Sequence, residues 1–400
     1  MTDPLLRYRS EFPILERTTY LVSNSLGAMP RSVVDRMAAY ARDWGEQGVR
    51  AWGQGWWDLP VTVGDEIAPL IGAGAGEVVM VPNVTMAQAT VLSSLTYAAP
   101  RNRIVMTALD FPSVRYAYDG LAARLGGGAE IVVAPASADG LGVDTEALLA
   151  LIDERTRLVS ISHVLFRSAY VMDVEAICRK ARQVGALVSL DSFHAVGVIP
   201  VDVRAIGCDF LTGGVLKWLC GGPGGCFLYV SPRVRGTLEP ALTGWQAHAR
   251  PFAFEPEMEF ATDAFRWLGG TPVIPALYAS AEGPKILRRA GIAAIREKSM
   301  RQTARLIALA DERSFTVNAP RDPVRRGGTV AIDVPHAYEV SQYLIARNVL
   351  VDYRPGAGIR IAPHFYTDDA ELEHAMATID EALKGDAWRA HARAPGAVVT

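Results

Sequence analysis

Apolar residues recur every third or fourth position at Arg31–Trp44, Thr85–Tyr97, Ser113–Arg124, Thr145–Asp153 and Val174–Val184, which predicts helices there. Short apolar runs predict strands at Glu77–Val81, Arg103–Thr107, Ala129–Val133, Leu158–His163, Ala186–Asp191, Cys208–Gly213 and Cys226–Val230. Between about residues 60 and 230 the two patterns alternate, which predicts an α/β unit with a mainly parallel sheet covered by helices. After Pro272 a long helical stretch runs to about Ala310, followed by short strands (Phe315–Asn318, Thr329–Asp333, Ile359–Ala362) alternating with two helices. That change marks a smaller α/β C-terminal domain. The division expected is an N-terminal segment (1–50) packing on the small domain, a large domain (51–270), the small domain (271–385) and a tail (386–400). The tail is rich in Ala, Arg and Pro and has little to bury, so no element is assigned to it.

Composition narrows the function. Half of the 400 residues are hydrophobic and 21% are charged, enough for a sizeable core. Forty basic against 43 acidic residues give a net charge of −3, so no cationic surface for nucleic acid is expected. The first twenty residues carry six charged side chains and no later stretch reads as a membrane span, so a cytoplasmic location follows by default. Cys178, Cys208, Cys220 and Cys226 lack paired ligand spacing, and no two histidines stand at helical spacing beside a carboxylate. No metal site is expected.

Lysine is scarce, and of Lys180, Lys217, Lys285, Lys298 and Lys384 only Lys217 has apolar and glycine neighbours, in Leu211-Thr-Gly-Gly-Val-Leu-Lys-Trp-Leu-Cys-Gly-Gly-Pro-Gly-Gly225. Desolvation there would favour the neutral amine that a lysine needs to condense with a carbonyl. A stem packed on apolar surface with its head in water fits Lys217 taken alone equally well. Asp191 sits at the end of an apolar strand in Ser189-Leu-Asp-Ser-Phe-His194, where ligands bind in open α/β sheets. It could face a pyridine nitrogen and keep it protonated, making the ring an electron sink, with His194 beside the ring. A helix N-cap and a satisfied core histidine are the ordinary alternatives, but a lysine of this kind 26 residues on favours the functional reading. Val81-Pro-Asn-Val-Thr-Met86 would put Val84 and Thr85 at a helix N-terminus, suited to a phosphate, although Asn and Thr also begin many helices.

These residues belong to a wider set. Asn24-Ser-Leu-Gly27, Gly55-Trp-Trp-Asp-Leu-Pro60, Asp110-Phe-Pro-Ser113, Asp191-Ser-Phe-His-Ala-Val-Gly197, Lys217 with Gly221-Gly-Pro-Gly224, Thr243-Gly-Trp245, Gly270-Thr-Pro272 and Gly358-Ile-Arg360 occur together. From about residue 15 to 385 the chain resembles kynureninases, pyridoxal-phosphate hydrolases of the class V aminotransferase group with fold type I. The resemblance implies that Lys217 forms the Schiff base, Asp191 binds the pyridine nitrogen, and His194 lies beside the ring. It implies stacking by Phe111, phosphate contacts from Trp245 and Thr271, and an α-carboxylate held as a bidentate pair by Arg360. Ser162 and Asn24 match positions near the cofactor and the substrate. An ordinary core residue is the alternative for Phe111, and a surface charge for Arg360. Some phosphate contacts in such enzymes cross between subunits, which implies a homodimer with its active site at the interface.

Two positions depart from the pattern. Kynureninases usually carry a tyrosine before the Schiff-base lysine, where this chain has Leu216, and an acid after Phe-Pro-Ser, where it has Val114. Both changes remove polar groups expected near the reacting centre, which leaves another substrate, an aminotransferase or a C–S or β-lyase as alternatives. A persulfide-forming cysteine desulfurase needs a cysteine on a mobile loop of the C-terminal half, and none follows Cys226, which disfavours that alternative. A scaffold that binds cofactor without catalysis would more naturally lack Lys217 or Asp191.

Overall fold

A computed structural model describes residues 3–124 and 128–391. Its centre is a seven-stranded sheet of β1 (Val78–Val81), β2 (Arg103–Thr107), β3 (Glu130–Ala134), β4 (Thr156–Ser162), β5 (Leu187–Asp191), β6 (Phe210–Gly214) and β7 (Cys226–Val230). The order is β1-β7-β6-β5-β4-β2-β3; β7 runs antiparallel to both its neighbours and the other pairs are parallel. Strands β5, β6 and β7 are buried at every position. A sheet covered on both faces has no polar face, which is why these strands read as continuous apolar runs.

The helices around it are α1 (Ser32–Gln47), α2 (Leu59–Ile67), α3 (Val84–Ser93), α4 (Pro112–Ala122), α5 (Thr145–Leu151) and α6 (Val174–Gln183). Alternate strand residues feed two cores. Val105, Val159, Leu211 and Phe227 pack with Ile177 and Ala181 of α6, whereas Ile104, Leu158, Phe210 and Leu228 pack with Val91 and Leu92 of α3 and Tyr118 of α4.

The helical stretch expected after Pro272 is three helices, α7 (Ile274–Ser280), α8 (Glu282–Ala290) and α9 (Ile292–Asp311). Gly291, at φ 84, breaks the last two apart in a conformation other residues rarely adopt. Leu277, Ile286, Leu287 and Ile295 pack into the core shared with α6. A separate core begins at Leu306. It lies against an antiparallel sheet of β8 (Thr316–Val317), β9 (Val330–Asp333), β10 (Asp352–Arg354) and β11 (Gly358–Ile361), ordered β10-β11-β9-β8, with α10 (Ala337–Ile345) and α11 (Asp369–Leu383). The N-terminal segment joins this lobe: Thr19–Tyr20 pairs in parallel with Val349–Leu350, and Arg9 bonds Glu371. Of the tail, residues 386–391 are described, and the Trp388 ring stacks on His336 with centroids 3.5 Å apart. Residues 392–400 lie outside the described residues.

The strand order reverses between β2 and β4, because the chain leaves β2 for β3 on one side and returns with β4 on the other. Pairing of β2 with β4 stops at Val105 and Val159, so their carboxyl ends splay. Such a switch point is where an open α/β sheet offers a binding crevice.

Candidate active site

Asp110 sits in this crevice and joins its sides. Its carboxylate accepts the backbone N–H of Thr107 and that of Ser162, each at 2.7 Å, so the splayed strand ends keep their donors satisfied. Burial raises its pKa, against the pull of these bonds. Held this way, Phe111 opens α4 with its ring 37% exposed and edge-on to Phe166, centroids 5.2 Å apart. Ser162 pairs with Asp191 across β4 and β5, which sets Phe111, Ser162 and Asp191 along one edge.

Lys217 lies in the loop between β6 and β7. Val215 bonds Gly225, Gly221 bonds Val215, and Cys220 bonds the Lys217 carbonyl, which closes the loop. The Lys217 Nζ is 2.6 Å from His194 Nε2 and stands 4.9 Å from the Phe193 and 5.6 Å from the Phe111 ring centroids. Burial, with Arg360 nearby, pushes the Lys217 amine down to about 7, while Asp191 opposes that fall. Burial pushes Asp191 up to about 6, against a 3.0 Å bond from the Phe193 N–H and the attraction of Lys217. His194 is held well below its ordinary value by burial and then by the Lys217 charge, so its imidazole is neutral. Lys217, Asp191 and His194, read separately from the sequence, thus stand in one group, with Asp191 and His194 buried and Lys217 half-buried.

Glycine brings the N-terminal segment to this loop. A Cβ on Gly27 would lie 2.1 Å from the Lys217 carbonyl oxygen, so only glycine fits where the Gly27 N–H bonds Leu216 at 2.7 Å. Asn24, three residues earlier, is fully buried, and neither its Nδ2 nor its Oδ1 has a partner. Leaving such groups unpaired costs about 1–3 kcal/mol each, so the Asn24 amide is suited to a bound ligand.

Arg360 differs from the expected free fork. Its Nε donates to Asp352 at 2.8 Å, its Nη2 bonds the same carboxylate, and its Nη1 donates to the Phe166 carbonyl at 2.6 Å. A buried guanidinium needs a counter-charge, and Asp352 supplies it. The end carrying Nη1 and Nη2 keeps two N–H groups for a carboxylate.

Val84 and Thr85 open α3. Asn83 caps the Met86 N–H, which leaves the Val84 and Thr85 N–H groups facing out at the positive end of the helix. Gln88, on the same helix, is fully buried; it donates to Thr212 at 3.0 Å and accepts from Tyr118 at 2.8 Å and Ser189 at 3.1 Å. These bonds pin α3 over the strand ends that carry Asp191.

Trp245 and Thr271 are not brought to Lys217. Trp245 packs on Trp57, Phe252 and Phe254, and Thr271 lies beside Pro82 and Met86; both are exposed. Val114 is turned into the core with Tyr118 instead of toward Lys217, and Leu216 stands next to the lysine. Asp110, Phe193, Gln88 and Asp352 belong to the site architecture, yet no role for any of them is readable from the sequence. Asp110 and Phe193 had a signal, their places in the Asp-Phe-Pro-Ser and Asp-Ser-Phe-His segments.

The donor set fits a flat, charged ring bearing a phosphate. A depressed amine stands ready for a carbonyl, a buried carboxylate for a protonated ring nitrogen, an open aromatic face for stacking and a helix N-terminus for the phosphate. The fold and these residues define an enzyme dependent on pyridoxal phosphate. The chain belongs to the class V aminotransferase family, whose model matches residues 19–363. It is 33% identical over 411 residues to the kynureninase of Burkholderia pseudomallei (strain 1106a), covering 100% of this chain and 97% of that one. It is also 33% identical over 400 residues to the kynureninase of Pseudomonas fluorescens, covering 96% and 94%. In fold it is similar to the apo cysteine desulfurase of Thermococcus onnurineus NA1, with a TM-score of 0.83, 22% identity and coverage of 96% and 99%. The cystine C-S lyase C-DES in complex with cysteine persulfide superposes with a TM-score of 0.82 at 21% identity, covering 92% and 98%.

Proposed function

We propose that this enzyme hydrolyses the Cβ–Cγ bond of kynurenine or a related amino acid, as a cytoplasmic homodimer. The reading is carried by the Lys217 amine 2.6 Å from a neutral His194 and paired electrostatically with Asp191, in a chain similar to kynureninases over its whole length. Pyridoxal phosphate, when bound, supplies a ring that accepts the electron pair released as bonds at the substrate carbons break. Lys217 would hold the cofactor through Nζ, and with substrate bound the same amine, 2.6 Å from His194, would move the proton at the substrate Cα. Asp191 would keep the ring nitrogen charged, and Phe111 and His194 would hold the ring, with Ser162 beside it. Val84 and Thr85 would hold the phosphate from this subunit, and Trp245 and Thr271 would hold it from the other. Asn24 and the remaining N–H groups of Arg360 orient the α-carboxylate.

For a side-chain ketone, water adds its hydroxyl to the carbonyl carbon, the Cβ–Cγ bond breaks, and Cβ takes a proton. Alanine and a carboxylic acid leave. With Leu216 beside Lys217 in place of a tyrosine, proton movement at the ketone falls to Lys217 and His194.

Support for the dimer comes from exposed apolar side chains on and beside α1, with Val34 60%, Trp44 62% and Val49 82% exposed. Faces of this kind are usually covered by a partner. Among the described residues no helix is long and apolar enough to cross a membrane. The proposed division is a large cofactor-binding lobe and a smaller C-terminal lobe joined by the N-terminal segment. A second reading, a related lyase or aminotransferase with another substrate, is favoured by one observation, the apolar Leu216 beside Lys217. Product analysis with kynurenine, 3-hydroxykynurenine and a panel of amino acids tests both: alanine with an anthranilate supports the hydrolase, and a keto acid or an elimination product supports the second reading.

A further inference from the structure

Strand register builds a charged cluster beside the Lys217 group. In the hairpin of β10 and β11, Asp352 stands across from Arg360, and Arg354 from Gly358. Side chains two apart on a strand share a face, and cross-strand partners share it too, so Asp352, Arg354 and Arg360 gather on one side of the hairpin. Gly358 brings no side chain to that face, which leaves Arg354 room to lie against Asp352. Asp352 and Arg360 are each 2% exposed, whereas the Arg354 side chain is 27% exposed and forms the edge of the cluster.

One carboxylate serves both guanidinium groups. Asp352 accepts Arg360 through both its oxygens, and its Oδ2 also lies 3.2 Å from Arg354 Nη2. Arg354 Nη1 donates to the Tyr353 carbonyl at 2.8 Å, and among the described residues no second carboxylate comes within ion-pair distance of either arginine. Arg360 and Asp352 alone would make a neutral pair that offers a carboxylate little net attraction. Arg354 changes that balance, because two positive groups on one acid leave one positive charge in excess near the N–H groups that Arg360 keeps free. That charge is felt in the site. Burial comes first in lowering the Lys217 amine, and the charges of Arg360 and Arg354 add to it; behind burial and Lys217, the same two arginines lower His194. A single carboxylate at the Arg360 fork would cancel the excess, whereas an uncharged group there would leave it unmet.

We propose that Arg354 is a specificity-determining residue of this site: it leaves the pair of Asp352 and Arg360 one positive charge in excess, and that charge selects ligands with a carboxylate on the amine-bearing carbon. Arg354 acts through Asp352 and Arg360 and meets no reacting atom itself. Its role rests on the reading that Arg360 holds the α-carboxylate and is independent of which bond the enzyme breaks.

The test titrates the full-length holoenzyme with L-alanine and, as the control without a carboxylate, L-alaninamide, following the visible absorbance of the cofactor. The wild type is expected to prefer the acid. Arg354→Met should raise the Kd of alanine about tenfold or more, equivalent to about 1.4 kcal/mol, and leave that of the amide unchanged. Arg354→Lys, which keeps the charge, should keep most of the preference, whereas a purely structural role would weaken both ligands alike. Arg354→Gln gives the same test if the methionine variant fails to fold. An unchanged preference for alanine in a folded neutral variant, or an equal loss for acid and amide, would overturn the proposal. Arg360→Met separates it from the reading beneath it. If Arg360→Met loses the preference while the neutral Arg354 variants keep it, the carboxylate role of Arg360 stands and only that of Arg354 falls; if Arg360→Met keeps the preference, both fall.

Discussion

The depressed Lys217 amine makes a quantitative prediction about pH. An ordinary lysine with the value of 10.5 would be almost wholly ammonium at neutral pH, whereas burial beside Arg360 pushes Lys217 down to about 7. Near pH 7 the reactive neutral fraction should therefore exceed that of an ordinary lysine roughly 10³-fold, equivalent to about 4 kcal/mol. The sign follows from the charge: lowering the pKa favours the neutral amine, so reactivity rises with pH and levels off above the shifted value. Apoenzyme mixed with pyridoxal phosphate, followed by the growth of visible absorbance, should give a rate that rises about tenfold per pH step below the midpoint and is flat above about pH 8. Asp191→Asn, by removing an anion that favours the ammonium, should move the midpoint lower still. Lys217→Ala should abolish the band and the turnover. A wild-type midpoint near 10 would refute the claim that burial activates this lysine.

Three further outcomes follow from particular contacts. Asp191→Ala should retain part of the bound cofactor, measured by equilibrium dialysis, but lose turnover, since an unprotonated ring is a poor electron sink; full activity would assign the role to another acid. Gln88→Leu leaves the buried Thr212, Tyr118 and Ser189 hydroxyls short of a partner and should lower unfolding free energy by about 1–3 kcal/mol in a urea titration; an unchanged midpoint would mean those hydroxyls find other partners. Leu216→Tyr should raise kcat for kynurenine on the order of tenfold or more by restoring a proton donor beside Lys217, and no gain would show that Lys217 and His194 suffice.

Much of this was legible because the chemistry coincides with strong local pattern. The fully buried strands β5, β6 and β7 read as continuous apolar runs, and the ends of β5 and the loop after β6 carry Asp191 and Lys217. The helix start at Val84 was marked by Asn83, a cap visible in the sequence. The break at Gly291 escaped because periodicity continues across a single glycine. Contacts between distant segments had no local signal: nothing near Arg360 indicates that Asp352 will close one side of its guanidinium. Likewise Asp110 acts through the strand splay at β2 and β4, a property of sheet order. Val114 shows the converse. Its neighbour Phe111 faces the site, but helical geometry turns Val114 inward to Tyr118, so an apolar residue there serves the core.

The proposed hydrolase and its rivals differ in which bond the enzyme breaks. The most direct measurement is a full product balance by mass spectrometry after purified holoenzyme has acted on kynurenine in ¹⁸O-labelled water. Hydrolysis of the Cβ–Cγ bond predicts alanine and anthranilate in equal amounts, with one labelled oxygen in the anthranilate carboxylate. A keto acid with unlabelled side chain, or no reaction with kynurenine while another amino acid is consumed by elimination, would contradict it.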